Sequence, residues 1–120
     1  MKLIRIGYWS SQASDPWPDV KSFVDTSWDD DERERVIAHL KRGLLARAYM
    51  GFSTCRLCGA RNGSTELTDG TYIWPEGLVH YVEAHGVRLP ARFLETINEI
   101  TLCLEDAEVD DTWWRTTGAR

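Results

Sequence analysis

Two cysteines and two histidines constrain this chain more than any other feature. Cys55 and Cys58 form a CxxC followed by Gly59; 21 residues later come His80 and His85, with Gly86 behind them. Two thiolates and two imidazoles are the donor set of a closed, tetrahedral structural Zn²⁺ site. A tight turn can aim both sulfurs at one point, and Gly59 tolerates the positive φ such a turn often needs. Histidines five apart lie about 140° apart on a helix of roughly 3.6 residues per turn. They share one metal only if the last helical turn tightens or loosens, which Gly86 permits.

Other chemistry fits the same residues less well. A redox CxxC opens a helix, whereas Gly59 and Asn62-Gly63 here are turn residues. Buried thiols with two ordinary surface histidines would leave the spacing unexplained. Catalytic zinc keeps three protein ligands and an open position, and four good donors close the shell. Glu76 and Glu83 are read as solvated helix residues rather than bases near the metal. The expected cofactor is therefore one structural zinc ion.

The chain has 120 residues, 42% of them hydrophobic and 28% charged, which suits one soluble globular domain over 1–120. The net charge of −5 opposes non-specific attachment to phosphate backbones. The third cysteine, Cys103, stands between Leu102 and Leu104 and reads as a buried small apolar residue. An odd cysteine count argues against a disulfide framework and for a reducing compartment. Met1–Gly7 is too short and charged for a signal peptide, and no apolar run reaches membrane-spanning length. A cytoplasmic protein is expected.

The fold class read from the pattern is α+β, with a central β-hairpin and helices around an embedded zinc module at about residues 50–90. Residues 2–9 read as a strand, 10–18 as a loop and Pro18–Val24 as a short helix or turn. Ser27 is expected to cap a helix over 28–42, with Asp29, Asp30 and Asp31 in its first turn. Trp28, Val36, Ile37, Leu40 and Leu44 form its apolar stripe and Gly43 its stop. Residues 44–54 read as a strand running into the CxxC. Residues 64–68 and 71–74 read as two strands around the Asp69-Gly70 hairpin turn. Helices are expected over 75–85 and 90–104, the second burying Phe93, Leu94, Ile97, Ile100 and Leu104.

The order Cys–Cys, hairpin, helix, His–His resembles a C₂H₂-type ββα zinc finger at Cys55, Cys58, His80 and His85. The likeness covers about 35 residues and implies the metal core. It does not extend to DNA reading: the Cys58–His80 gap is 21 residues against about 12 in a DNA-reading finger, and Glu76, Gly77, Leu78, Val79 and Glu83 offer no Arg or Lys to guanine edges. The phrase running from Trp74 to Pro90 resembles one in small bacterial proteins of uncharacterised function, which implies a bacterial origin and no particular activity.

Remaining candidates are weaker. His39 reads as a partly exposed helix histidine. Ser10-Ser11 and Ser53-Thr54 have no base beside them, and Gly59–Gly63 reads as the turn after a knuckle rather than a phosphate loop. Two acidic runs remain: Asp29–Glu32, explained by a helix start, and the tail from Glu105 to Asp111. The tail ends in Trp113-Trp114, and with Asp110 and Asp111 these residues are the candidate partner-binding surface. The expected function is non-catalytic: a zinc-stabilised binding protein acting through protein–protein contact. Its partner would present a basic surface, as for an inhibitor or immunity-type protein facing a basic toxin. The alternative is nucleic-acid binding through the finger, favoured by Arg56, Arg61, Arg88 and Arg92 and opposed by net charge. A zinc-dependent hydrolase ranks third.

Overall fold

A computed structural model of the protein describes residues 1–117, so the last three residues of the 1–120 span lie outside the described residues. In chain order the elements are β1 (Ile4–Arg5), a 3₁₀ turn (Val20–Phe23), α1 (Asp30–Lys41), β2 (Leu44–Ala48), β3 (Thr65–Thr68), β4 (Tyr72–Pro75), α2 (Leu78–His85), α3 (Ala91–Glu105) and α4 (Thr112–Thr117). The expected mixture of helices and a hairpin-centred sheet is present, in a four-stranded sheet of order β1-β4-β3-β2. The β3–β4 hairpin is its centre. Asp69 Oδ1 accepts the N–H groups of Thr71 and Tyr72 at 2.9 and 2.7 Å, and Gly70 takes φ 93°, as a hairpin turn requires.

Two strands are shorter than expected. The 2–9 strand contracts to Ile4–Arg5, which pairs parallel with β4 through Ile4↔Tyr72 and Arg5↔Ile73. Gly7, at φ 82°, turns the chain away where a side chain would strike Leu78. The 44–54 strand ends at Ala48, after a register shift between Leu45 and Arg47. β2 is an edge strand, exposed throughout.

Three helix boundaries move for local reasons. Asp29, not Ser27, caps α1: its carboxylate accepts the N–H of Glu32 at 2.9 Å, while Ser27 bonds Asp25. At its other end α1 stops at Lys41, so Leu44 belongs to β2, exposed, and not to the stripe of α1. Pro75 and Glu76 precede α2 rather than opening it, because Pro75 still pairs with Glu66 in the sheet. Glu76 is not a solvated helix residue; its Oε1 accepts the backbone N–H of Ser64 and Thr65.

The core lies between the sheet and α1–α3. Trp74, Leu40, Leu78, Val36, Val82 and Phe93 are fully buried, with Trp9 and Trp28 beside them. α3 buries Phe93, Leu94 and Ile97 as expected. Ile100 and Leu104 are exposed, and so is Cys103. The C-terminal half of α3 is not packed tightly: Ile100 and Leu104 line an open groove that they share with Glu34, Arg35 and Ala38 of α1 and with Arg42 at its end. The molecule extends 61 Å along its longest axis with a radius of gyration of 17.3 Å, against about 14 Å for a compact domain of this length. Among the described residues, no helix is long and apolar enough to cross a membrane.

Candidate metal centre

Cys55 and Cys58 sit in a knuckle between β2 and β3, closed by backbone pairing of Thr54 with Arg61. Three bonds shape it. Cys55 N–H donates to Ala60 O and Gly59 N–H to Cys55 O, both at 2.9 Å, and Leu57 N–H points at Cys55 Sγ at 3.4 Å. Gly59 has φ 74°, the left-handed region that the tight turn demands.

α2 delivers the histidines. His80 lies in its first turn and His85 is its last residue. The mismatch of a five-residue spacing is resolved by loosening: the N–H groups of both Gly86 and Val87 donate to Tyr81 O, and Gly86 caps the helix at φ 64°. The two imidazole centroids are 5.1 Å apart. Tyr81, between them in sequence, accepts the N–H of Arg56 at 2.8 Å through its hydroxyl and ties knuckle to helix independently of the ligands.

Each sulfur faces one ring. Cys55 Sγ lies 3.5 Å from His85 Nε2, and Cys58 Sγ lies 3.4 Å from His80 Nε2. One donor atom from each of the four residues falls within 4.8 Å of all the others. Such a cluster could hold a metal ion. Cys55 is buried in the core, Cys58 is exposed and the histidines are half-buried, so the cluster spans from core to surface.

The tail residues lie elsewhere and do not converge on a cavity. Trp113 and Trp114 are 73% and 68% exposed on α4, with ring centroids 5.9 Å apart. Asp110 Oδ1 accepts the N–H of Thr112 at 2.9 Å, which with the Thr112 hydroxyl holds the Asp110 carboxyl below its usual range. Asp111 pairs with Arg115 at 3.2 Å. Of the arginines cited for nucleic-acid contact, Arg88 is engaged by Asp25 and Glu32 at 3.2 and 3.7 Å.

Two arrangements escape sequence reasoning. His39 Nε2 bonds Asp69 Oδ2 at 2.8 Å, with the His39 ring against Trp74 and Phe93. Burial opposes ionisation of Asp69, yet the N–H groups of Tyr72 and Thr71 and the His39 contact hold its carboxyl below the usual range. Glu66 is fully buried in β3, where the Tyr8 hydroxyl donates to Oε2 at 2.7 Å, the Tyr49 hydroxyl donates to Oε1 and Arg5 approaches to 3.5 Å. Tyr8 and Tyr49 lie 58 and 17 residues from Glu66, so no local pattern signals the cluster. Compared with protein families, curated proteins and solved structures, the chain matches none.

Proposed function

We propose that the chain is a zinc-stabilised, non-catalytic binding protein that acts through protein–protein contact. The sulfur–nitrogen spacing carries the metal half of this reading. With Zn–S of about 2.3 Å and Zn–N of about 2.0–2.1 Å, a tetrahedral shell sets sulfur and nitrogen about 3.5 Å apart. The two pairs stand at 3.5 and 3.4 Å. Four protein donors leave no position for water or substrate, which favours a structural ion over a hydrolytic one. The ligands are Cys55, Cys58, His80 and His85.

The contact half rests on the exposed C-terminal segment. Exposed Leu102, Leu104, Val109, Trp113 and Trp114 alternate there with carboxylates at Glu105, Asp106, Glu108, Asp110 and Asp111. Aromatic anchors ringed by charge suit a protein interface, and the sign calls for a basic partner.

Metal content of the purified protein tests the first half; one equivalent of zinc is expected, and less than about half an equivalent overturns it. Cys55→Ser then unfolds the domain, because metal affinity here is folding free energy. A folded Cys55→Ser protein that loses a hydrolytic activity would instead mark a catalytic site. For the second half, immobilised protein should retain a basic partner from native extract, and Trp113→Ala/Trp114→Ala should release it.

A further inference from the structure

The net charge of −5 averages two parts of the sequence of opposite sign. Residues 1–14 and 44–65 carry five Lys or Arg and no Asp or Glu, so the remaining residues carry −10. These two basic segments meet. Arg5 and Tyr8 from the first, and Tyr49, Met50, Phe52 and Ser53 from the second, line a groove of about 450 Å³ beside the knuckle.

Held rings line the groove, with the Arg5 guanidinium in its wall and that of Arg61 beside it on Phe52. The buried Glu66 carboxylate pins Tyr8 and Tyr49 by their hydroxyls. Burial and the Glu66 hydrogen bond push the Tyr8 phenol up from its ordinary range, so it stays a donor. Arg61 stacks over the Phe52 ring at 4.4 Å and Arg5 over the Tyr8 ring at 5.1 Å. Tyr49 is 48% and Phe52 60% exposed, so their ring surfaces remain open despite these contacts. Arg56 borders an adjoining cavity that shares Tyr8 and Ser53.

The carboxylates nearby are already engaged. Glu66 is buried among its three partners, Glu76 holds two backbone N–H groups, and Asp15 is bound by Ser11.

We propose that this groove binds single-stranded nucleic acid, with bases stacking on Phe52 and Tyr49 and phosphates meeting Arg61 and Arg56. Pinned aromatic faces are platforms for unpaired bases, whose π-faces a duplex conceals. An acidic peptide would use the arginines but brings no nucleobase to stack on the rings. α2 offers no Arg or Lys in Leu78–His85, so a duplex gains nothing from the finger helix. The proposal goes beyond the protein-contact reading and uses a different surface. It places a nucleic-acid strand at the knuckle face and a basic partner on the acidic arm.

The test is fluorescence anisotropy with the zinc-loaded full chain and short labelled probes: oligo(dT), oligo(U), a DNA duplex and poly-glutamate. Single strands should bind at low salt and more tightly than duplex. Their affinity should fall roughly tenfold between about 50 and 200 mM salt, as two or three phosphate contacts predict. Phe52→Ala should weaken binding about tenfold, within the range for loss of one stacked base. Arg61→Glu should weaken binding further and flatten the salt dependence, whereas Arg92→Glu on α3 should change neither. Zinc content and thermal melting of each variant separate lost contacts from lost fold. Preference for oligo(U) or oligo(dT) supports the proposal and identifies the natural strand as RNA or DNA. No binding at low salt, equal duplex affinity, insensitivity to Phe52→Ala and Arg61→Glu, or equal affinity for poly-glutamate each overturns it. The last result would make the groove an acidic-protein site. Metal content tests the zinc reading alone, so the two can fail separately.

Discussion

Trp74 and Trp113 hold opposite positions in one small protein. Trp74 has no exposed surface and packs against Phe93, His39 and the backbone bend at Gly43. Trp113 is 73% exposed, and its ring lies beside that of its neighbour Trp114. The six tryptophans divide evenly: Trp9, Trp28 and Trp74 are buried, while Trp17, Trp113 and Trp114 are exposed. In the body, from β1 to the first half of α3, Trp9, Trp28, Tyr72, Trp74, Tyr81 and Phe93 close the core, while Trp17, Tyr49 and Phe52 stay exposed. The arm beyond Ile97 presents its rings to solvent. Hydrophobic residues alone do not distinguish core from contact surface; the presence of an opposing layer does.

The largest test of that contrast is a pair of truncations. Trp74→Ala should cost about 4 kcal/mol in denaturant unfolding, as deletion of a fully buried large ring does. Trp113→Ala should stay within about 0.5 kcal/mol, as an exposed position does. Equal losses would mean that the arm is packed and the contrast false.

A smaller effect is expected from backbone proximity. A side-chain methyl at Gly77 would collide with Asn62 backbone and side-chain atoms, so Gly77→Ala should lose about 2 kcal/mol by overpacking. Gly51 has open space around it and φ 97°. Gly51→Ala should cost about 1 kcal/mol from its left-handed backbone alone.

Acid should separate the regions next. The Asp69 carboxyl is held low in the folded state, so its stabilisation is full above the unfolded carboxylate range near pH 4 and is lost as pH falls through its lower folded value. Asp69→Asn should therefore be less stable than the parent at neutral pH, with the gap closing below about pH 4. Denaturant midpoints across a pH series measure it. Asp110 is held low only by its neighbour Thr112 on an exposed surface, so Asp110→Asn should show the same convergence with a much smaller gap.

The smallest effect on stability, and the sharpest on contact, belongs to the arm itself. Ending the chain at Ala107 should leave the melting temperature within about 2 °C while abolishing capture of the proposed basic partner. In the intact protein, Cys103 should react with an alkylating reagent at once, and Cys55 and Cys58 only after chelation. Mass spectrometry of labelled peptides reads this directly.

What the residue pattern disclosed, and what it hid, follows the same division. The donor cluster was readable because CxxC, two histidines and the glycines at 59 and 86 each do a local job. The Asp69-Gly70 turn and the start of α3 at Pro90 were readable for the same reason. Ile100, Leu104 and Cys103 misled because helical periodicity records an apolar face and not what covers it. Residues 44–54 misled because apolar composition does not say where pairing stops. Glu66 was invisible: in Thr65-Glu66-Leu67-Thr68 a carboxylate reads as solvent-facing, and only tyrosines brought from distant segments make it tolerable in the interior.

The parallel pairing of Ile4–Arg5 with Tyr72–Ile73 also sets an order of events during synthesis. The first strand cannot find its neighbour until about 70 more residues have been made, which takes roughly 4–14 s at ordinary translation rates. Through that interval Ile4, Ile6, Tyr8 and Trp9 emerge together without a sheet to join. When β4 arrives, α2 and its histidines follow within ten residues, so closure of the sheet edge and assembly of the four-donor cluster become nearly simultaneous steps for the nascent chain.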